Sequence, residues 1–466
     1  MSDDKPARIE GAERIEGMWT IAGLARDLAT GQETATRLVE TCLGRIGDTA
    51  GEGGLAFLSV ANERARKQAA WVDQARRDGL PLPPFAGIPI AVKDLADIRG
   101  EVTGAGSPVL AQRPPAAADA PAVARLQNAG FIVVGRTNMT EFAYSGLGIN
   151  PHYGTPASPW DRASRRIPGG SSSGSAVAVA DGMCVAALGT DTGGSCRIPA
   201  AHCGTVGLKS TVGRIPVDGM VPLSPTMDSV GPLANSVACA ALFDAVLDGR
   251  PEPAVPPMQE AHRLRLAVPR NYHFDGMDEA VAAAFERACS ALRAAGAVLE
   301  EVTVPAFDMY AGVTVPGGIV AAEAYAWHRP LLEAHRDQYY RHVLGRIVAG
   351  SKQSAADLLD MFRVRREAIA DFARLMDGFD AMIGPTTAAI APPIAGLEAD
   401  DEAYVRTNVL MLRNTSSMNF LDGCAMSLPI HRPGEPAVGL HVMLPGGQDR
   451  RLLSLARGIE AAVAPR

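Results

Sequence analysis

Short apolar runs alternate with stretches in which apolar residues recur every three or four positions, and this alternation constrains the fold more than any other feature. The runs at 88–92, 131–134 and 184–188 are too short for helices and too apolar for strands with one wet face. They predict strands buried on both sides. Further strands are predicted at 264–268, 298–304, 381–383, 425–428 and 438–443. Helical periodicity covers 18–46, 61–77, 122–129, 173–181, 278–295, 321–348, 354–376 and 450–463. Strands interleaved with helices in this way imply an α/β fold around a largely buried sheet. A proline-rich stretch at 251–257 separates two halves, and residues 1–17 read as a flexible leader.

The 466 residues are ample for a core that needs no disulfide or metal staple. A net charge of −7 disfavours nucleic acid, which rewards a basic face. The longest apolar stretch, 176–188, is interrupted by Asp181 and Gly182 and is too short to span a bilayer. The expectation is a cytoplasmic protein with no membrane or nucleic-acid partner. The seven cysteines are odd in number and scattered, so they predict buried thiols rather than a disulfide framework. Cys196, His202 and Cys203 fit no zinc-ligand spacing, and no metal or cofactor is expected.

Residues 168–215 carry the chemistry. Pro168-Gly-Gly-Ser-Ser-Ser-Gly-Ser175 opens a predicted helix, and Gly189-Thr-Asp-Thr-Gly-Gly-Ser195-Cys-Arg-Ile-Pro199 follows a predicted strand. Both are embedded in apolar structure, where glycine costs stability, so flexible linkers are a poor account of them. Glycines so placed free backbone N–H groups that suit an oxyanion hole. Gly170-Ser-Ser172-Ser-Gly174 also fits the G-x-S-x-G elbow of Ser-His-Asp hydrolases. That motif needs a preceding strand, which 164–168 do not resemble, and a marked histidine, which neither His431 nor His441 is. A phosphate loop at 204–210 fails because Leu208 stands where glycine must precede Lys209.

Taken together, Gly169-Gly-Ser-Ser-Ser-Gly174, Thr190-Asp-Thr-Gly-Gly-Ser195 and Ala91-Val-Lys93-Asp94 resemble the amidase signature family. Agreement extends to 119–123, 134–142, 203–209 and 228–233, in the family's order. The resemblance runs from about residue 20 to the C-terminus and is densest over 85–235. It implies a central mixed twisted sheet covered by helices on both faces. One amidase domain would span 18–466, with N-terminal helices at 18–80, a catalytic core at 85–250 and a mainly helical pocket or lid region at 305–379.

By the same resemblance Ser195 is the nucleophile, Ser171 the bridging serine after a cis peptide bond, and Lys93 the base. The separation, 195 − 171 = 24, agrees with the family's spacing. Backbone amides of Thr192, Gly193, Gly194 and Ser195 would hold the oxyanion. Gly170, Ser172 and Asp191 would support the site. Arg197 would brace the nucleophile loop or, alternatively, grip a substrate carboxylate. A serine hydroxyl is a weak nucleophile until a base takes its proton. Lysine serves as that base only when neutral, and its free pKa is about 10.4. Burial behind the apolar run at 88–92 would lower it.

Relatives of this kind cleave many C–N bonds, and the resemblance takes in aryl acylamidases, urethanases and amidotransferase A subunits. The expected substrate is a small amide, anilide or carbamate, with esters also cleaved, acted on by a monomer or homodimer. The alternative is the glutaminase component of an amidotransferase complex. Phe307, Met309, Tyr310, Tyr325, Trp327, Met361 and Phe362 suggest a partly aromatic pocket, with helix packing as the competing account. Gly317-Gly318 and 386–396 are expected to form rim loops.

Overall fold

A computed structural model describes residues 19–313 and 315–464. The leader expected at 1–17 lies outside the described residues. Eleven strands form one mixed sheet: β1 (Phe57–Val60), β2 (Pro89–Lys93), β3 (Ile132–Thr137), β4 (Ala186–Thr190), β5 (Val206–Lys209), β6 (Val230–Ala234), β7 (Arg265–Pro269), β8 (Val298–Val302), β9 (Ala381–Pro385), β10 (Cys424–Pro429) and β11 (Gly439–Leu444). Their spatial order is β1-β3-β2-β4-β6-β5-β10-β11-β9-β7-β8. β2 runs parallel to both β3 and β4, and β7 parallel to β8 and β9; the remaining pairs are antiparallel.

The centre of this sheet is buried on both faces. Every residue of β2, β3, β4, β5, β6, β9 and β11 is buried. That explains the unbroken apolar runs, since each buried aliphatic side chain contributes about 1.5–3 kcal/mol. β6 is less obvious because Pro232 sits inside it. Pro232 lies opposite Leu188 of β4, while β5 reaches only to Leu233, so its missing N–H removes no bond from the β5 ladder.

Helical stretches form where periodicity predicted them, with two divisions. The span 18–46 is two helices, Ile21–Ala29 and Ala35–Gly47. Gly31, at φ +74, turns the chain, and the Thr34 hydroxyl caps the second helix by accepting from the Arg37 N–H. The span 321–348 is likewise Gly318–His335 and Arg341–Ala349. Between them Tyr339 is drawn into the protein, its hydroxyl 2.9 Å from His328 Nδ1.

Three apolar clusters result. The largest packs the sheet against flanking helices. A second gathers Phe142, Tyr339 and Tyr404, and a third Phe307, Met361 and Phe372. Among the described residues no helix is long and apolar enough to cross a membrane.

Candidate active site

β2 ends in Lys93 and its parallel neighbour β4 ends in Thr190, with Val92 opposite Leu188. Both side chains therefore emerge at one carboxyl edge of the sheet, where open α/β sheets commonly place their sites. Lys93 is 1% exposed. Its Nζ donates to Ser171 Oγ and to Thr190 Oγ1, each at 2.8 Å. Burial pulls the amine down to about 8, with Cys196, Asp191 and Asp228 pulling the other way. The adjacent Asp94 is spent on Arg136 Nε, at 2.7 Å, and on the Gly106 N–H.

Ser171 follows a cis Gly170–Ser171 bond and leads into the helix Ser173–Ala180. Gly170 has no room for a side chain, since a Cβ would lie 2.5 Å from the Gly148 nitrogen. The Ser172 N–H donates to the Ser195 carbonyl at 3.2 Å, tying the two serine segments together. The Ser172 hydroxyl reaches the Thr190 carbonyl at 3.4 Å, a long contact. Lys93, Ser171 and Ser195 are thus gathered at one place. The chain of hydroxyls is closed only from Lys93 to Ser171. Among the described residues the Ser195 hydroxyl has no hydrogen-bonded partner, and it faces the cavity.

The loop from 191 to 195 is held by one carboxylate. Asp191 Oδ1 accepts from the Gly194 N–H at 2.9 Å, and Oδ2 from the Cys196 N–H at 3.1 Å. Arg197 completes the arrangement with Nε and Nη2 on the two oxygens, at 3.0 and 2.9 Å. Burial alone would raise the Asp191 carboxyl. Arg197, Asn419 and Lys209 override it and hold that carboxyl well below the usual range. Gly194, at φ +129, has no room for a Cβ, which would meet the Thr415 hydroxyl at 2.1 Å.

The expected set of four oxyanion amides is revised by this geometry. The Gly194 N–H is consumed by Asp191, and Gly194 does not line the cavity. Thr192, Gly193 and Ser195 do line it, and among the described residues their N–H groups are unpaired. Arg197 is fully buried and donates also to the Thr415 carbonyl and Asn419 Oδ1, with His441 Nε2 2.8 Å away. It braces the loop and has nothing to offer a substrate carboxylate.

Ser195 opens into a cavity of about 740 Å³. Of the seven residues expected to make it aromatic, only Tyr310 lines it. Phe307 and Met361 are buried in the third cluster, with Met309 and Phe362 packed on it. Tyr325 and Trp327 pack on the second. Helical stripes of large apolar residues here serve packing. Gly317 and Gly318 do sit on the cavity wall, whereas no residue of 386–396 does: Thr386 and Thr387 are buried, and Ile394 begins the helix Ile394–Ala399.

Several contributors escaped the sequence reading. Thr190 is the second partner of Lys93. Asp228 accepts from the Thr192 hydroxyl at 2.6 Å. Both stand in motifs whose resemblance is legible but whose roles are not. Asn419, donating to Asp191 at 2.9 Å, comes from the distant helix Asp401–Phe420, and no local signal marks it. All seven cysteines are buried and free, and among the described residues no cluster of metal-ligating side chains forms.

A family model described as Amidase matches residues 37–453. The chain is 38% identical over 462 residues to 2-amino-5-chloromuconic acid deaminase of Comamonas testosteroni, covering 95% of this chain and 96% of that protein. It is 34% identical over 488 residues to the glutamyl-tRNA(Gln) amidotransferase A subunit of Streptomyces avermitilis, covering 95% of each. Among solved structures, a crystal structure of an amidase superposes with a TM-score of 0.85 at 32% identity, covering 96% of this chain and 100% of that one.

Proposed function

The chain belongs to the amidase family, and from that premise we propose that it hydrolyses a small-molecule amide or carbamate with Ser195 as nucleophile, Ser171 as proton relay and Lys93 as base. The observation that carries this reading is a fully buried lysine, its amine lowered to about 8, bonded at 2.8 Å to the hydroxyl of Ser171 beside a serine that opens to a cavity.

In the proposed cycle, neutral Lys93 accepts the Ser171 proton as Ser171 accepts that of Ser195. The Ser195 oxygen forms a bond to the substrate carbonyl carbon, and the carbonyl π pair moves onto oxygen. The free N–H groups of Thr192, Gly193 and Ser195 stabilise that charge. Collapse of the adduct breaks the C–N bond, and the proton returns through Ser171 to the departing nitrogen. Water then repeats the sequence on the acyl-enzyme and releases the acid. Ser171 and Ser195 need come within hydrogen-bonding distance only once substrate is bound, as catalytic contacts often tighten at that stage.

The test is turnover of an anilide, a primary amide, a carbamate and an ester by the wild type, Ser195→Ala and Lys93→Ala. Ser195→Ala is expected to lose all four activities. Lys93→Ala should slow the amide and anilide far more than the ester, whose alkoxide leaves with less help from a proton. Full turnover by Ser195→Ala would refute the assignment.

A second reading has specific support in the amidotransferase A subunits that match along nearly the whole chain. In that reading the amide of glutamine is the substrate and ammonia the leaving group. Glutamine hydrolysis by the isolated chain, compared with the panel above, separates the two.

A further inference from the structure

The peptide that joins Gly193 to Gly194 stands in the middle of the loop leading into Ser195. Its carbonyl belongs to Gly193 and its N–H to Gly194. Two of the N–H groups proposed to hold the oxyanion flank it, at Gly193 and at Ser195. With glycine on both sides, rotation of this peptide plane meets no Cβ, so it is intrinsically the freest plane in the loop to rock. A site that stabilises developing charge needs the opposite, donors already fixed in place.

Two side chains hold the plane. At one end the Gly194 N–H donates to Asp191 Oδ1 at 2.9 Å. At the other, Thr415 Oγ1 lies 2.8 Å from the Gly193 carbonyl oxygen. A peptide unit is rigid and planar, so bonds at both ends fix its rotation between the flanking Cα atoms. The Thr415 hydroxyl has one proton and a second acceptor in reach, the Leu412 carbonyl of its own helix at 3.2 Å. Helical threonines ordinarily bond back to such a carbonyl. Here that carbonyl already takes the Ser416 hydroxyl at 2.6 Å, and the Gly193 carbonyl is nearer. The proton therefore goes to Gly193.

Thr415 is itself held. Its own carbonyl accepts from Arg197 Nη1 at 3.0 Å, while Arg197 Nε and Nη2 grip Asp191. Asp191, Arg197 and Thr415 thus close a ring of hydrogen bonds around one peptide plane. Thr415 is fully buried, so water cannot replace its bond. It does not line the cavity, although its neighbour Ser416 does. Removing its hydroxyl therefore takes away no group that a substrate in the cavity touches.

We propose that Thr415 is a positioning residue for the oxyanion donors: by holding the Gly193 carbonyl it aims the N–H groups of Gly193 and Ser195. The inference rests on Ser195 being the nucleophile and on these amides receiving the oxyanion. Its effect falls on the tetrahedral state, where the charge on oxygen is largest, and leaves ground-state binding alone.

The test uses Thr415→Val, which removes the hydroxyl and keeps the shape, and Thr415→Ser, which keeps the hydroxyl. The substrate is an anilide slow enough that KM reports binding. The inhibitor is phenylboronic acid, which becomes a tetrahedral anion on a serine oxygen. Thr415→Val is expected to lower kcat about tenfold or more with KM within about twofold, and to weaken boronate inhibition by a similar factor. Thr415→Ser should return most of both. Circular dichroism and thermal melting establish that the variants are folded, and Thr415→Ala replaces the valine variant if that one is not. Wild-type kcat in Thr415→Val, a loss carried by KM alone, undiminished boronate affinity, or equal damage from Thr415→Ser overturns the proposal. Hydrogen exchange of the Gly194 N–H, followed by NMR in Ser195→Ala, reads the clamp without chemistry. It should quicken on adding Thr415→Val and not on adding Thr415→Ser; unchanged exchange also overturns the proposal. Quickened exchange together with full turnover by Ser195→Ala would instead overturn the reading of Ser195 and leave Thr415 as the clamp on this peptide.

Discussion

At the scale of single residues, the site depends on which charges the interior tolerates. Lys93 has its amine lowered from 10.5 to about 8 chiefly by burial. In the proposed mechanism only the neutral form accepts a proton, so kcat/KM should rise about tenfold per pH unit below pH 8 and level off above it. The same shift has a thermodynamic sign. Between about pH 8 and 10.5 the unfolded chain binds a proton at this lysine that the folded chain does not. Stability is therefore gained as pH rises through that window, by about 3 kcal/mol in all. Denaturant titrations of wild type and Lys93→Met across pH 7–10.5 should show the wild type gaining on the variant. Parallel curves would mean the amine is not perturbed.

Asp191 is the opposite case: its carboxyl is held low, so its contribution is present above about pH 4 and lost as pH falls further. Asp191→Asn leaves Arg197 buried without its anion. A cost of about 3–5 kcal/mol at neutral pH is expected, shrinking below pH 4 as the unfolded wild-type chain takes up a proton at Asp191 that the folded chain does not. Chemical unfolding at pH 7 and pH 3 measures both values, and an undiminished gap at the lower pH would count against the argument.

At the scale of elements, a helix of the cavity wall is wired to the loop that carries the proposed oxyanion donors. Glu323, on the helix Gly318–His335, accepts from the hydroxyls of Ser224 and Thr226 and from the Thr226 N–H. On the same loop, Asp228 collects the N–H groups of Leu223 and Ser224 and the Thr192 hydroxyl. Contacts made in the pocket can thus reach Thr192 through Glu323 on the helix and Asp228 on the loop, which both hold the segment 223–228. Glu323→Gln and Asp228→Asn are each expected to lower kcat/KM. Their effects should couple by about 0.5–3 kcal/mol in a double-mutant cycle; strict additivity would show that the loop does not connect them. None of this wiring is legible in the sequence. The run at 88–92 reveals β2 because burial on both faces forces every residue to be apolar. Lys93 and the two serine segments are legible because glycines and serines are out of place among apolar elements. Asn419 and Glu323 act across 228 and 97 residues of chain to reach Asp191 and Thr226, and nothing local distinguishes them from other helix polar residues. The aromatic stripe at 305–379 misled for the related reason that spacing reveals a buried face but not what it is buried against. The one long helix expected at 321–348 divides because Tyr339 packs inward, a tertiary event that periodicity does not encode.

At the scale of the whole molecule, chemistry and specificity are built on different foundations. Lys93 and Thr190 end fully buried central strands, and Ser171 leads into a helix packed on them, so the proposed proton path stands on the largest core. The cavity wall draws on Gly318–His335, Arg341–Ala349 and Asp401–Phe420, which pack into the two smaller clusters and keep Val405 and Val409 exposed at 54% and 62%. Elements with fewer buried apolar contacts open locally at lower free energy than the core. Native-state hydrogen exchange should therefore find the amides of β2 and β4 protected to the limit of global unfolding, while those of Arg341–Ala349 exchange through smaller openings. A small amide bound in the cavity of Ser195→Ala should slow exchange in that helix, whose Arg341, Gly345, Arg346 and Ala349 line the wall, and leave β2 unchanged. Uniform protection across both regions would show that the wall and the catalytic sheet unfold as one cooperative unit, and reshaping the pocket would then cost the stability of the whole.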